Sequence, residues 1–232
     1  MKIHNPANGT VITDVDADTS ASVRAKYHRA RAAQPQWAGL PIKKRLATIA
    51  GFRDRVAAMH EALARTLTEE VGKPIRQSRN ELNGLASRLD FFLAESQRTL
   101  RGETVLADLD NKLEERITHE PLGVVANISA WNYPYFVGSN VFVPALIAGN
   151  AVLYKPSEYA TLTGLSIAQL LHESGVPEDV FVPVVGDGST GGFGLLDGKE
   201  YDVRFNLTQF GNPYDPAPPV ATFVDETTIQ LG

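Results

Sequence analysis

The chain has 232 residues, and its 22 Lys and Arg against 27 Asp and Glu give a formal net charge of −5 at pH 7. A weakly acidic chain lacks the basic face that nucleic acids require, so we expect no nucleic-acid partner. No apolar run approaches the roughly 18 residues of a membrane-spanning helix, and the start "MKIHNPANG" has no signal-peptide core. The sequence contains no cysteine, which excludes disulfides and a cysteine nucleophile and favours a reducing, cytoplasmic compartment.

Helical patterns fill most of the first hundred residues. Thr19 or Ser20 is predicted to cap the first helix, Pro41 to begin the second and Ile75 to begin the third. Apolar residues at steps of three and four predict one continuous second helix before the stop signal at Gly72. Its apolar stripe consists of Ile42, Leu46, Ile49, Phe52, Val56, Met59, Leu63 and Leu67.

Short apolar runs alternate with helical patterns after residue 121. The runs "GVVANIS", "NAVLYK", "DVFVPVVG" and "YDVRF" are typical of buried strands, and helices are predicted at 134–148 and 161–174. This alternation predicts an α/β fold in which N-terminal helices precede a Rossmann-like parallel sheet with flanking helices. Ligands of such sheets bind at the carboxyl ends of the strands, where "ISAWN", "KPSE" and "GDGSTG" lie.

These patterns divide the chain into three predicted parts. Residues 1–120 form a helical segment with strands near 112–120, and residues 121–211 form the Rossmann-like portion. Residues 212–232 form a divergent tail, because four prolines between 213 and 219 exclude a helix or a central strand.

The stretch "GDGSTG" matches the pattern G-x-G-x-x-G through Gly186, Gly188 and Gly191. Glycines in a turn after a strand let backbone N–H groups approach the phosphates of a dinucleotide. Two features weaken this interpretation. The turn follows the third strand of the series, and no convincing acidic residue closes a second strand about 20 residues later. A plain tight turn therefore remains the alternative.

Polar residues at the ends of the first two strands allow two interpretations each. Lys155, Ser157 and Glu158 follow "NAVLY", where a Lys donor and a Glu acceptor suit the hydroxyls of a sugar. An exposed ion pair in a loop is the alternative. Asn132 offers a neutral amide donor that can stabilise a developing oxyanion, or it can cap the helix that Pro134 begins.

The five histidines are scattered along the chain, and none stands at a metal-ligand spacing. We therefore predict no metal site and interpret the histidines as structural or surface residues. No serine-nucleophile motif of the form S-x-x-K or G-x-S-x-G is present.

Taken together, these motifs resemble the aldehyde dehydrogenase superfamily. The stretch "EPLGVVANISAWNYPYFVGSNVFVPALIAGNAVLYKPSEYATLTG" is similar to its coenzyme-binding segment, and "EEVGKPIRQSRNEL" is similar to its N-terminal helical region. The resemblance covers about residues 1–197 and then fades. It implies an oxidoreductase that converts a small aldehyde to a carboxylic acid with NAD, or with NADP, and that can assemble as a homo-oligomer.

The resemblance also implies roles for single residues. Asn132, in the family's W-N-x-P motif, would donate to the oxyanion of the thiohemiacetal intermediate. Lys155 and Glu158 would hold the hydroxyls of the adenosine ribose, with Ser157 beside them. The remaining implied coenzyme contacts are Ile128, Ser129 and Trp131 at the end of the first strand, Gly188 near the adenine, and Thr208 in place of a pyrophosphate-binding serine.

Three departures from the family pattern bear on activity. Leu207 stands where close backbone approach to the pyrophosphate favours glycine. In "IQLG", Gln230 takes the position of the family's general-base Glu, and an amide cannot usefully take up a proton. The nucleophilic cysteine is absent, so we expect a truncated and diverged chain that oxidises no aldehyde by itself.

Two other interpretations stay open. The chain can be a non-catalytic nucleotide-binding or interaction module that keeps "AWN" and "KPSE". It can also be a truncated product without a function, whose broken sheet edge is prone to association. A dehydrogenase assay with a general aldehyde separates catalysis from both, and coenzyme titration separates the module from the functionless product.

Overall fold

The computed structural model describes residues 1–108 and 113–187, and it describes 221–225 and 228–231 as paired strands. Outside these ranges lie the predictions made for Gly188, Gly191, the stretch 201–205, Leu207 and Thr208. The helices of the described chain are α1 (Ser20–Ala38), α2 (Ile42–Ala58), α3 (His60–Val71), α4 (Ile75–Thr99), α5 (Pro134–Ile147) and α6 (Thr161–Glu173). None of them is both long enough and apolar enough to cross a membrane.

Antiparallel hairpins flank the helices along the chain. They pair β1 (Lys2–His4) with β2 (Val11–Asp14), β3 (Glu103–Asp108) with β4 (Leu113–Ile117), and β8 (Ala221–Asp225) with β9 (Thr228–Leu231). The first hairpin was not predicted from the sequence. Its connection is tight, since the Gly9 N–H donates to the Asn5 carbonyl oxygen at 2.8 Å and Gly9 has a φ of 73°.

The start of the first helix confirms its prediction. Thr19 is the N-cap residue of α1, and its hydroxyl accepts a hydrogen bond from the Ser22 N–H at 3.2 Å. The prediction of one continuous second helix is wrong, because α2 ends and α3 begins around Met59. The backbone of Met59 has φ −97° and ψ 7°, outside helical geometry, although neither Gly nor Pro marks the position.

A three-stranded parallel sheet forms the centre of the fold, with β5 (Val124–Ile128), β6 (Ala151–Lys155) and β7 (Phe181–Pro183) in that order. This confirms the predicted sheet and its strand pairing. All five residues of the middle strand are buried, as expected for a parallel strand covered on both faces. The carboxyl ends of the three strands meet at one edge, here called the carboxyl edge.

Helices pack around this sheet in layers. Helix α1 contacts all three strands, while α5 and α6 contact both the sheet and the bundle formed by α2, α3 and α4. An aromatic cluster joins these layers, in which the rings of Phe52 and Tyr154 lie 6.3 and 5.6 Å from the ring of Phe142. The N-terminal helices and the parallel sheet therefore share one hydrophobic core.

Side chains from the N-terminal helices cap the carboxyl-terminal end of α5. Gln34 donates to the Gly149 carbonyl oxygen, and the Trp37 indole donates to that of Leu146, both at 2.9 Å. The last carbonyl groups of a helix have no partner within it, so buried donors from elsewhere must satisfy them. Helices of the first hundred residues thereby bind the carbonyl groups at and just beyond the end of α5.

Candidate functional site

A cleft of about 390 Å³ lies at the carboxyl edge of the sheet. Its walls come from the segments that follow β5 and β6, namely Ile128, Ser129, Ala130, Trp131, Lys155, Ser157, Glu158 and Tyr159. Parallel pairing brings the two segments together, because the Ser129 N–H donates to the Lys155 carbonyl oxygen at 2.9 Å. The cleft thus gathers most of the site residues expected from the sequence.

A larger depression, of about 720 Å³, lies elsewhere on the molecule. Residues of α2 and α4, His119 and Ala148 line it, and Ala148 directly follows the last residue of α5. Helix α5 starts at the carboxyl edge of the sheet, so its last residues lie towards the opposite edge. Because ligands of open parallel sheets bind at the carboxyl ends of the strands, we take the smaller cleft as the candidate site.

Lys155 and Glu158 place a donor and an acceptor in the cleft. The Lys155 side chain is only 3% exposed, and its Nζ donates to the Pro156 carbonyl oxygen at 3.0 Å. Glu158 Oε2 lies 3.8 Å from Nζ and accepts a hydrogen bond from Ser157 Oγ at 3.3 Å. Burial lowers the pKa of Lys155, and the negative charge of Glu158 opposes that shift. The alternative of an exposed loop ion pair is therefore wrong for the lysine.

Apolar surface lies on the other side of the same cleft. Ile128 is 56% exposed and Trp131 is 53% exposed, although folding normally buries such side chains. Exposed apolar surface inside a concave site is typical of a pocket that covers a flat ligand ring. Deeper in the wall, the Ser129 hydroxyl is buried beside the hydroxyl of Tyr154.

Asn132 directly follows the residues that line the cleft. Its Oδ1 accepts a hydrogen bond from the Tyr133 N–H at 3.1 Å, and its carbonyl oxygen accepts one from Lys73 Nζ at 2.6 Å. The N-cap residue of α5 is Tyr133, so the alternative in which Asn132 caps this helix is wrong. Among residues 1–108 and 113–187, nothing accepts a hydrogen bond from the side-chain amide nitrogen of Asn132.

Comparison with known proteins identifies the family to which this geometry belongs. The model of the aldehyde dehydrogenase family matches residues 1–204, which include the N-terminal helices, the parallel sheet and the whole cleft. The chain belongs to the aldehyde dehydrogenase family.

Relatives of this aldehyde dehydrogenase chain are considerably longer. The 3,6-anhydro-alpha-L-galactose dehydrogenase of Streptomyces coelicolor is 35% identical over 196 residues, which cover 84% of this chain and 39% of that protein. The structure of NADP-dependent glyceraldehyde-3-phosphate dehydrogenase from Bacillus halodurans, complexed with NADP, matches with a TM-score of 0.79 and 29% identity over 86% of this chain and 42% of the other. The structure of PnpE in complex with nicotinamide adenine dinucleotide matches with a TM-score of 0.79 and 31% identity over 84% and 40%. The chain spans about two fifths of the length of these relatives.

Two buried carboxylates of the aldehyde dehydrogenase chain, not singled out from the sequence, hold the helices after β5 and β6. Glu81 Oε1 accepts a hydrogen bond from the Tyr135 N–H at 2.8 Å, at the start of α5. Glu70 Oε2 accepts one from the Thr163 N–H at 2.9 Å, at the start of α6. The first N–H groups of a helix lack partners within it, and a carboxylate also suits the positive end of the helix dipole. Both residues lie in "EEVGKPIRQSRNEL". The family resemblance drew attention to this stretch, but the sequence did not show that its acidic residues bind the starts of α5 and α6.

The end of β7 is held in a similar way. Asp18 Oδ2 accepts hydrogen bonds from the Val185 N–H at 2.8 Å and from Lys26 Nζ at 2.5 Å. Lys26 Nζ also donates to the Pro183 carbonyl oxygen at 2.8 Å. Burial alone would raise the pKa of Asp18, but the hydrogen bonds from Lys26, Ser22 and the backbone outweigh it and lower the pKa overall. Glu81 of α4, Glu70 of α3 and Asp18 before α1 thus fix the chain after the three strands of the parallel sheet.

Glu70 is expected to make stability fall as the pH rises. Burial raises the pKa of Glu70, and its hydrogen bonds to Leu162 and Thr163 offset this only in part. The folded chain therefore holds this proton more tightly than the unfolded chain. Its contribution to the free energy of unfolding is complete below the unfolded pKa of about 4.5 and is lost as the pH rises through the folded pKa. In urea unfolding, the stability of wild type relative to Glu70→Gln should therefore fall from pH 4.5 to 7.

The matched control for this measurement is Glu61→Gln. Glu61 is an exposed carboxylate whose pKa is lowered, first by its hydrogen bond to Arg79. Its contribution is present above the unfolded pKa and is lost as the pH falls, so it should stay nearly constant between pH 4.5 and 7. A stability of wild type relative to Glu70→Gln that rises with pH would contradict the raised pKa of Glu70.

Proposed function

We propose that the cleft at the carboxyl edge binds a nicotinamide coenzyme, and that the chain supplies the coenzyme-binding part of an aldehyde-oxidising site. One observation carries the proposal: the buried Lys155 ammonium, the Glu158 carboxylate and the exposed surfaces of Ile128 and Trp131 meet in one cleft. Such a cleft offers donors and acceptors for sugar hydroxyls and an apolar wall for a flat ring. Relatives solved with NADP and with NAD support the same class of ligand.

In this proposal each wall of the cleft has a separate task. Lys155 and Glu158 hold the hydroxyls of the adenosine ribose, and the Ser157 hydroxyl orients the Glu158 carboxylate. Ile128 and Trp131 form the apolar wall beside the nicotinamide, where the bound coenzyme would supply a hydride acceptor. The contacts assigned to Gly188 and Thr208 remain predictions.

Asn132 is proposed to stabilise negative charge on the aldehyde oxygen while a nucleophile adds to its carbon. A neutral amide fixed beside the cleft can donate to that oxygen without reorganisation, which is the most effective form of such stabilisation. The family-type nucleophile is a cysteine thiolate, and this chain contains no cysteine. By itself, the chain is therefore proposed to act as a nucleotide-binding module without turnover.

Two measurements test this proposal. Calorimetric titration with NAD should show saturable but weak binding. The family resemblance implies that Leu207 replaces a glycine beside the pyrophosphate, and such a replacement would weaken binding by about tenfold to a hundredfold. Absorbance at the NADH band should show no reaction with a broad panel of aldehydes. A chain that binds no nucleotide would refute the coenzyme site. Turnover by protein freed of other dehydrogenases would refute the non-catalytic part.

Replacing Glu158 with glutamine is expected to change the preference between the two coenzymes. NADP carries a phosphate on the ribose 2′-oxygen, and the Glu158 carboxylate, which is about one third exposed, repels that charge. Wild type should therefore bind NAD more tightly than NADP. Glu158→Gln should bind NADP about tenfold more tightly than wild type does, while its NAD affinity falls slightly.

Glu178→Gln is the control for this change of preference, because it removes the same charge from an exposed position away from the cleft. Calorimetric titration of all three proteins with both coenzymes gives the comparison. Tighter binding of NADP than of NAD by wild type would contradict the role proposed for Glu158.

A further inference from the structure

The loop that carries Asn132 is anchored by a charged pair from the N-terminal helices. Lys73 Nζ donates to the Asn132 carbonyl oxygen at 2.6 Å, lies 2.5 Å from Glu81 Oε2, and sits 3.8 Å from the centre of the Tyr133 ring. The other Glu81 oxygen accepts hydrogen bonds from the N–H groups of Tyr135 and Phe136 at 2.8 and 3.3 Å. The ion pair of Lys73 and Glu81 therefore binds the backbone on both sides of Pro134.

The position of Lys73 is itself fixed by its neighbours. Gly72 ends α3 in the left-handed region with a φ of 77°, and a Cβ there would fall 2.8 Å from Pro6 Cγ. Pro74 follows, and it is the N-cap residue of α4. The Lys73 side chain is 9% exposed and the Glu81 side chain is fully buried.

We propose that Lys73 and Glu81 are positioning residues, which hold the Asn132 amide at the nicotinamide end of the cleft. Neither residue lines the cleft, so both act through the loop and not by contact with a ligand. The inference rests on the proposed function, because it gives the loop a purpose only if the cleft binds a coenzyme. It also explains why "EEVGKPIRQSRNEL" contains a lysine and a glutamate eight residues apart.

Two ligands separate the role of the pair from general stability. In the proposed binding mode, AMP reaches only the end of the cleft at Lys155 and Glu158, whereas NAD also reaches the end next to Asn132. Lys73→Met should weaken NAD binding by about fivefold to tenfold and change AMP binding by less than about twofold. A loss that is equal for both ligands would overturn the inference, because it would show an effect on the whole cleft and not on the end next to Asn132.

A double variant removes the remaining ambiguity. Lys73→Met alone leaves Glu81 buried without its cation and should lower the thermal midpoint. Adding Glu81→Gln removes that unpaired charge, so the midpoint should recover towards wild type while NAD binding stays weak. Recovery of NAD binding together with stability would overturn the positioning role. The matched control is Arg79→Met, which removes the exposed ion pair between α4 and Glu61 and should change neither affinity.

Hydrogen exchange tests the same loop without any ligand. Mass spectrometry of the peptide spanning 131–137 should show exchange about tenfold faster in Lys73→Met and in the double variant. Exchange of the peptide spanning 161–173 should match wild type in the double variant. If wild type binds neither NAD nor AMP, the proposed function fails. Hydrogen exchange then tests by itself whether Lys73 and Glu81 position the loop. Unchanged exchange at 131–137 would then overturn the inference.

Discussion

Replacing Arg45 with methionine is expected to lower the free energy of unfolding by about 3 kcal/mol or more. The guanidinium is buried and has no carboxylate partner among the described residues. It donates to the carbonyl oxygens of Ile147 and Ala38 at 2.8 Å, and also to that of Leu40. These groups lie at or just beyond the ends of α5 and α1, where carbonyl groups have no helical partner. Methionine fills similar space, but it leaves the buried carbonyl oxygen of Ile147 and the part-buried ones of Ala38 and Leu40 without this donor.

Urea unfolding followed by circular dichroism measures this loss, with Arg55→Met as the control. Arg55 lies on the same helix, but it forms an exposed ion pair with Glu173 at 3.1 Å. Exposed pairs contribute about 1 kcal/mol at most, so this variant should stay close to wild type. Equal midpoints for the two variants would show that water can replace the Arg45 donors.

Helix α5 explains why such distant residues matter to the candidate site. The acidic Glu81 lies at its first turn, while the basic Arg45 binds the carbonyl oxygen of its last residue, Ile147. Each charge has the sign that the helix dipole favours at that end. The helix is apolar on nearly all sides and begins two residues after Asn132. Its placement by the N-terminal helices therefore also sets the position of the loop that carries Asn132.

The parts of the fold that the sequence predicted correctly are those with local signals. Thr19 is followed by a helical pattern and was expected to begin a helix. The runs that contain β5, β6 and β7 are short and rich in Val, and they alternate with helices. The boundary at Met59 has no local signal, because the apolar steps of three and four continue across it. Tertiary packing decides that boundary, and a single sequence does not show it.

In the candidate site too, residues with a local sequence signal were predicted and residues that act over a long range were not. Ligands of open parallel sheets bind at the carboxyl ends of the strands, and this rule depends only on strand direction. It was therefore enough to predict that Lys155 and the end of β5 share one cleft. Lys73 was not predicted to act at this edge, since the hydrogen bond to Asn132 spans 59 positions of the chain. The hairpin before α1 was missed for another reason. Its turn contains Asn8 and Gly9, a pair typical of hairpins, but β1 has only three residues, too few for their alternation to predict a strand.

Replacing Lys155 with methionine is expected to weaken NAD binding by about tenfold to a hundredfold. The Lys155 ammonium has three donors. It donates to the Pro156 carbonyl oxygen at 3.0 Å, and it also interacts with the carboxylates of Glu158, at 3.8 Å, and Asp187. We expect ribose hydroxyls bound beside Glu158 to accept from the donors that do not bind Pro156. Methionine has nearly the same length but offers no N–H group and no charge. The hydroxyls would then lose charged hydrogen bonds, each of which contributes about 1.5–3 kcal/mol.

The stability of the same Lys155→Met variant should not fall together with its affinity for NAD. Burying an ammonium is unfavourable, which is why burial lowers the pKa of Lys155, and methionine removes that penalty. Glu158 and Asp187, the two carboxylates that interact with Lys155, both keep contact with solvent and tolerate the loss of the cation. The thermal midpoint should therefore stay the same or rise while affinity falls. Lys43→Met, which removes the same charge from an exposed position on α2, should change neither quantity. Loss of stability in parallel with affinity would show that Lys155 supports the fold and does not bind the coenzyme.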